Sequence, residues 1–408
     1  MRYTLKNYQE DAVEDVLEKL RRAKDMWLQY RDISSFSLSA TTGAGKTVMA
    51  AAVIEALFYG SDNFRADPGA VVLWFTDDPS LNEQTRRRIK EASDLLDNSR
   101  LCVIEPSFTG RQLEHGNVYF LNRQKLAKKG LLVRATRGDR QAPTFWDVLR
   151  NTIEDDTVTL YVILDEAHRG MRDSNGANEK ETIVKRLVNG QDGVPAVPIV
   201  WGISATVERF SRAMERAKGR TQLPNVEVDP QDVQESGLLK DNILLDFPTE
   251  RGRFETVLLR RATRLIKDAT QRWDDHLGKQ QVAPLLVVQM PNTPEDRMLL
   301  MACRAIRDEW PDLDSDAMAN VFGEHEELMI GSFSIPYVKP QDVQGRPHIR
   351  VLFAKDAVST GWDCPRAEVL MSFRPASDKT HITQLLGRMV RTPLARRIEG
   401  DDLLNSVH

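Results

Sequence analysis

Apolar residues in this chain gather in short unbroken runs set between polar stretches of helical spacing. The runs are Val71-Val72-Leu73-Trp74-Phe75, Leu101 to Ile104, Val118 to Leu121, Val158 to Leu164 and Pro198 to Ile203. A continuous run, unlike an alternating one, predicts a strand covered on both faces, hence a parallel sheet between layers of helices. Ser35 to Ser39 predicts a shorter strand. The helix after it starts near Lys46 and runs through Met49, Ala50, Ala51, Ile54 and Leu57.

The rhythm fails between Glu208 and Pro248, where Gly219, Pro224, Pro230 and Gly237 fall. Such punctuation predicts a connector. From Arg251 a long helix is expected, with an apolar stripe of Val257, Leu258, Ala262, Leu265, Ile266, Ala269 and Trp273. Strand Leu285 to Val288 follows. Thr293-Pro294-Glu295-Asp296 then announces a helix, the threonine as cap and the proline in the first turn. Strands Ile349 to Phe353 and Glu368 to Phe373 complete the pattern. The expected fold class is α/β, with two tandem domains, each a mostly parallel sheet flanked by helices. Their expected bounds are 1–228 and 251–408, with a linker at 229–250. Leu403 to His408 reads as the start of a strand that the chain does not finish, so the second domain is expected to be truncated.

A length of 408 residues suits two domains better than one. The net charge of -4 gives no global basic field, which leaves room only for a local nucleic-acid groove. Cys102, Cys303 and Cys364 are scattered without metal-ligand or disulfide spacing, which predicts a reducing, cytoplasmic setting. No apolar run approaches a membrane span, and the N-terminus lacks a signal-peptide core.

Chemistry is concentrated in a few motifs. Ala40-Thr41-Thr42-Gly43-Ala44-Gly45-Lys46-Thr47 lies between a strand and a helix. There Gly43 and Gly45 let backbone N–H groups converge on phosphate oxygens, and Thr42 and Ala44 complete the loop. Lys46 supplies a point charge to the β and γ phosphates, and Thr47 a hydroxyl for Mg²⁺. Asp165-Glu166-Ala167-His168 ends the apolar run Leu160 to Leu164. A carboxylate at the carboxyl end of a buried parallel strand sits beside the nucleotide crevice. Asp165 is expected to hold Mg²⁺ and Glu166 to polarise the attacking water.

Other signals are weaker alone. Ser204-Ala205-Thr206 ends another strand and is a candidate relay between nucleotide state and domain contact, or simply a turn. Gln9 can pair with the N6/N7 edge of adenine, or be an exposed glutamine at a helix start. Ser359-Thr360-Gly361-Trp362-Asp363 offers a hydroxyl and a glycine backbone to a nucleic-acid phosphate, while Asp363 can meet a ribose or an arginine. Arg388 and Arg391 are expected on one helix face, where Gln384 and Gly387 favour arginine fingers over a solvated face. Such fingers reach the triphosphate only if another domain closes over it. Lys125, Lys128, Lys129, Arg134, Arg137 and Arg140, with Phe145 and Trp146 beyond, make either a nucleic-acid contact or a basic surface loop.

The order of these motifs resembles that of superfamily-two helicases and translocases over essentially the whole chain. Asp165 to His168, Gly361-Trp362-Asp363 and Gln384 to Arg391 look most similar to the ATPase subunit of type III restriction enzymes and related bacterial DEAD/DEAH-box helicases. The resemblance implies two RecA-like domains, ATP and Mg²⁺ between them, and nucleic acid across their top. It implies that Lys46, Thr47, Asp165, Glu166, Arg388 and Arg391 carry hydrolysis, with His168 and Gln384 in the same motifs. It implies that Gln9 reads adenine, that Thr76 and Thr360 contact nucleic-acid phosphates, and that Ser204 and Thr206 couple the domains.

Two departures stand out: Leu385 occupies a position where many relatives carry arginine, and no D…(D/E)-x-K nuclease constellation is visible. The expected function is therefore an ATP-dependent DNA helicase or translocase core of a restriction or phage-defence system. Modification, specificity or nuclease subunits are its expected partners. An RNA helicase and a nucleotide-gated clamp that does not step are the alternatives.

Overall fold

Six parallel strands, all but the edge strand β3 largely buried, build the first half of the chain: β1 (Ser34–Ser39), β2 (Ala70–Thr76), β3 (Leu101–Val103), β4 (Val118–Asn122), β5 (Thr159–Asp165) and β6 (Ile199–Ser204). Two-residue strands β7 (Thr221–Gln222) and β8 (Val226–Glu227) both add to β1. The spatial order is β3-β4-β2-β5-β6-β1-β7, and each pairing is parallel. The computed structural model describes residues 1–76, 79–126, 132–133, 143–165, 179–190, 193–205, 210, 214, 219–246, 255–278, 281–355, 362–374 and 385–408. It divides into two compact units, the first made of Met1–Thr41 and Gly45–Asp232 and the second of Thr42–Ala44 and Val233–His408. Among the described residues no helix is long and apolar enough to cross a membrane.

The helices of the first unit are α1 (Asn7–Tyr30), α2 (Lys46–Tyr59), α3 (Pro79–Ala92), α4 (Phe145–Glu154) and α5 (Glu179–Asn189). Alternate residues of each strand face opposite layers. Val71, Leu73, Phe75, Val162 and Leu164 pack with Phe145 and Leu149 of α4 and Val184 and Leu187 of α5. The intervening positions, Val72, Trp74, Tyr161 and Ile163, are also buried. On that side Tyr161 donates a hydrogen bond to Asp67, which pairs with Lys24 of α1 at 2.8 Å. Helix α1 buries Ala12, Val13, Val16, Leu17, Leu20 and Ala23, at steps of one or three residues that draw a single stripe. Phe145 and Trp146 are buried core residues of α4, so they are not stacking platforms for bases. Lys125 pairs with Glu105 and donates to the Ile104 carbonyl, and the remaining cations of that basic stretch lie outside the described residues.

The second unit has a four-stranded parallel sheet in the order Met318–Asn320, Val351–Ala354, Leu285–Gln289, Ala367–Ser372. Its strands and neighbours are β9 (Asn242–Ile243), β10 (Leu285–Gln289), β11 (Met318–Asn320), β12 (Leu328–Ile330), β13 (Phe333–Ile335), β14 (Val351–Ala354), β15 (Ala367–Ser372) and β16 (Ser406–Val407). One face packs on helices Glu255–Leu277 and Asp296–Glu309 through Leu259, Ile266, Leu299 and Ile306. The other packs on Trp362, Leu385 and Met389. Three expectations need correction here. The stripe of the long helix is Leu259, Ala262, Thr263, Ile266, Ala269 and Trp273, while Val257 is 60% exposed. The next helix is capped by Glu295 without a side-chain cap bond, two residues after Thr293. Of Leu403 to His408 only Ser406–Val407 is a strand: this β16 pairs with β9, and the His408 carbonyl accepts from Leu370 of β15.

Residues 233–243, inside the stretch read as a connector, are built into this second unit. Their anchor is Lys240, whose ammonium is fully buried and donates to Glu368 Oε1 at 2.8 Å and to the Ser406 carbonyl. The Trp273 indole donates to the same carboxylate. Burial raises the Glu368 pKa, against the opposing pull of Lys240 and Trp273. Removing one partner of a buried pair leaves an uncompensated charge. Lys240→Met is therefore expected to cost about 3–5 kcal/mol at neutral pH. A raised folded-state pKa means that the carboxylate's penalty grows as pH rises through it, so the cost should shrink in acid, where Glu368 protonates. Urea denaturation at both pH values checks this, and Lys240→Met/Glu368→Gln should recover much of the loss.

Candidate functional site

The parallel register of the first sheet brings the carboxyl ends of its strands to one edge. Ser39 of β1 pairs with Ser204 of β6, and Asp165 of β5 with Ile203. Ala40 donates its N–H to the Ser204 carbonyl at 3.3 Å, tying the start of the glycine loop to β6. Gly43 and Gly45 both have positive φ, +92° and +82°, in the region where side chains are strained. Gly45 is the N-cap of α2, so the loop runs straight into a helix N-terminus. Lys46 curls back over the loop, its ammonium 2.6 Å from the Ala40 carbonyl and 3.0 Å from that of Thr41. Thr42, Ala44 and Thr47 complete the turn between β1 and α2.

Gln9 is buried, not exposed. Its Oε1 accepts from the Lys6 N–H at 3.0 Å, which caps α1. A Cβ placed on Gly45 would lie 2.4 Å from Gln9 Nε2, so the amide sits directly against the glycine loop. Asp165 stands two strands from β1 in the same sheet, and the Trp74 indole donates to its Oδ2 at 3.3 Å. Glu166, His168 and Thr206 lie outside the described residues.

Thr76 stands at the end of β2. Its side chain is fully buried and its hydroxyl donates to Asn82 Oδ1 at 2.7 Å, securing α3 to the end of β2. Ser204 is likewise buried.

In the second unit, residues 385–389 are helical, and Arg388 donates to the Trp362 carbonyl at 2.9 Å. Arg391 is not on that helix. It forms an antiparallel bridge with Leu239, and its guanidinium pairs with Asp363 Oδ2 at 2.7 Å. The helix ends because the Leu238 carbonyl captures the Thr392 N–H. Asp363 thus meets an arginine, one of the two partners its chemistry allowed. Gln384 and Thr360 lie outside the described residues. Sequence reasoning missed the Trp74 contact, because a tryptophan inside an apolar run looks like any core residue. Only the pairing of β2 with β5, which sets Trp74 opposite Ile163, reveals its reach to Asp165.

Two α/β units built on parallel strands, with a glycine loop after β1 and a carboxylate at the end of β5, are a fold shared with solved helicase structures. The helicase MrfA in a structure bound to DNA is similar at a TM-score of 0.52 and 13% identity, covering 95% of this chain and 47% of that one. The DEAD-box helicase Mss116, bound to single-stranded RNA and UDP-BeF, is similar at 0.50 and 12%, covering 95% and 68%. The chain spans about half the length of MrfA. The family model described as type III restriction enzyme, res subunit, matches residues 2–209, more than half of the chain, and the chain belongs to that family. No curated protein matches it by sequence.

The Gly45 geometry makes a direct prediction. Gly45→Ala should lower stability by about 1–3 kcal/mol, from positive φ and from the clash with Gln9. Adding Gln9→Ala should recover the steric part alone. A urea-denaturation double-mutant cycle separates the two contributions.

Proposed function

We propose that this chain is an ATP-hydrolysing motor core that moves along or unwinds DNA in the cytoplasm. The observation that carries the reading is that the strand leading into the glycine loop and the strand ending in Asp165 finish at one sheet edge, in a chain of the restriction-subunit family. The loop fits a polyphosphate: its two positive-φ glycines carry no Cβ, and its N–H groups lead into the N-terminus of α2. Lys46 can exchange its carbonyl partners for phosphate oxygens. Thr47 and Asp165 fit Mg²⁺, which takes one or two protein ligands and completes its shell with water and phosphate oxygens. The ion would neutralise charge on the transferring phosphoryl group.

Each side chain then has a task. Lys46 holds the β and γ phosphates. Glu166 orients and deprotonates the attacking water, a role worth about 10²–10⁴-fold. Gln9 offers its amide to adenine across Gly45. Arg388 and Arg391 supply finger charges, with Asp363 as the ground-state partner of Arg391 and Gln384 and His168 in support. Thr206 and Thr360 serve coupling and nucleic-acid contact. Modification, specificity or nuclease subunits of a defence system are the proposed partners.

DNA is favoured as the track because the family is that of a restriction subunit and because MrfA, a fold relative, is bound to DNA in its structure. Steady-state ATP turnover at low salt, with duplex DNA, single-stranded DNA or RNA, tests the proposal. DNA should stimulate most, stimulation should fall with added salt, and Lys46→Ala should abolish turnover. Greater stimulation by RNA would make the protein an RNA remodeller. Nucleotide binding without turnover would make it a clamp.

A further inference from the structure

Trp74 sits in the middle of a buried apolar strand, 1% exposed. A tryptophan there needs a partner for its N–H. Buried Trp146, Trp201 and Trp362 have indole nitrogens without a hydrogen-bond partner among the described residues. Trp74 differs, because its indole N–H donates to Asp165 Oδ2 at 3.3 Å. The sheet builds this contact. Trp74 pairs with Ile163 on the neighbouring strand, and Asp165 is two residues farther along the same face. Phe120, on the next strand, packs against the indole at 6.3 Å between ring centroids and holds its tilt.

We propose that Trp74 is a positioning residue for the strand-end carboxylate. It fixes Oδ2 and so sets the rotation in which Asp165 presents itself at the nucleotide edge. An indole donor also stabilises the ionised carboxylate, the form that binds a cation. Partners of metal-binding groups commonly change metal affinity about 10–100-fold when removed. The inference rests on the reading of Asp165 as a Mg²⁺-binding residue.

The test is a Mg²⁺ titration of the binding of a fluorescent, non-hydrolysable ATP analogue to the full chain. Trp74→Phe keeps an aromatic ring against Phe120 and removes the N–H. Should that variant fold poorly, the benzothiophene analogue of tryptophan at position 74 keeps the full shape without the donor. The half-saturating Mg²⁺ concentration should rise about 10-fold or more, while binding in EDTA stays within about twofold of wild type. In an Asp165→Asn background the same change should add little, because the two residues act as a unit. An unchanged Mg²⁺ midpoint in a folded variant would overturn the role of Trp74 alone. A wild-type chain whose nucleotide binding ignores Mg²⁺ would overturn the Asp165 reading with it. Equal loss of binding with and without Mg²⁺ would mark Trp74 as ordinary core and also overturn the proposal.

Discussion

Parallel pairing of β2, β5, β6 and β1 is the constraint on which the rest depends. Strands buried on both faces leave no side chain of their middle residues for chemistry. Their ends are where polar groups can reach a ligand, and parallel order puts every carboxyl end on one edge. Ser39, Asp165, Ser204 and Thr76 all stand there, but with different duties. Thr76 is spent on Asn82, and Ser204 closes the base of the glycine loop through its carbonyl. Asp165 is braced by Trp74. The loop itself depends on two residues without a Cβ, one of them pressed against Gln9.

Buried cations hold the ends of strands and their loops in both units. Arg220 donates to the carbonyls of Ser34, Val188 and Val197 in the first. Arg366 does the same for Ala283, Ile349, Val343 and Arg346 in the second. Burial lowers the Arg220 pKa to about 10 and that of Arg366 in the same direction, yet Arg220 stays charged at neutral pH. Carbonyl oxygens are the natural partners of a guanidinium, which carries five donors and no acceptor. Lys240, Glu368 and Trp273 act alike where β9 and β16 meet, so a short stretch that lacks apolar rhythm still becomes ordered.

The core strands were legible because a continuous apolar run suits a strand covered on both faces and few other elements. Val71 to Phe75 and Leu160 to Leu164 lie within β2 and β5. The glycine loop was legible because its spacing carries a mechanism. Helix α1 was not, beyond its first residues. Its buried stripe is diluted by charged positions such as Glu10, Asp11, Glu14 and Asp15. The strand β9 was hidden because two residues carry no periodicity, and what orders it is a charge pair 128 positions apart in the chain. Three-residue spacing suits a helix for Arg388 and Arg391, but long-range pairing of Arg391 with Leu239 overrides that local preference. The Trp74–Asp165 bond depends on register between strands, which a single sequence does not encode locally.

Hydrogen exchange of the full chain, with and without Mg²⁺ and a non-hydrolysable ATP analogue, tests the central claim most directly. Backbone N–H groups of residues 42–48 should gain strong protection, because they are the donors expected to close on the phosphates. Amides at the opposite end of the same strands, around Asp67 and Gly69, should exchange at the same rate in both states. Protection at that opposite end, or no protection in the glycine loop at saturating analogue, would contradict the account.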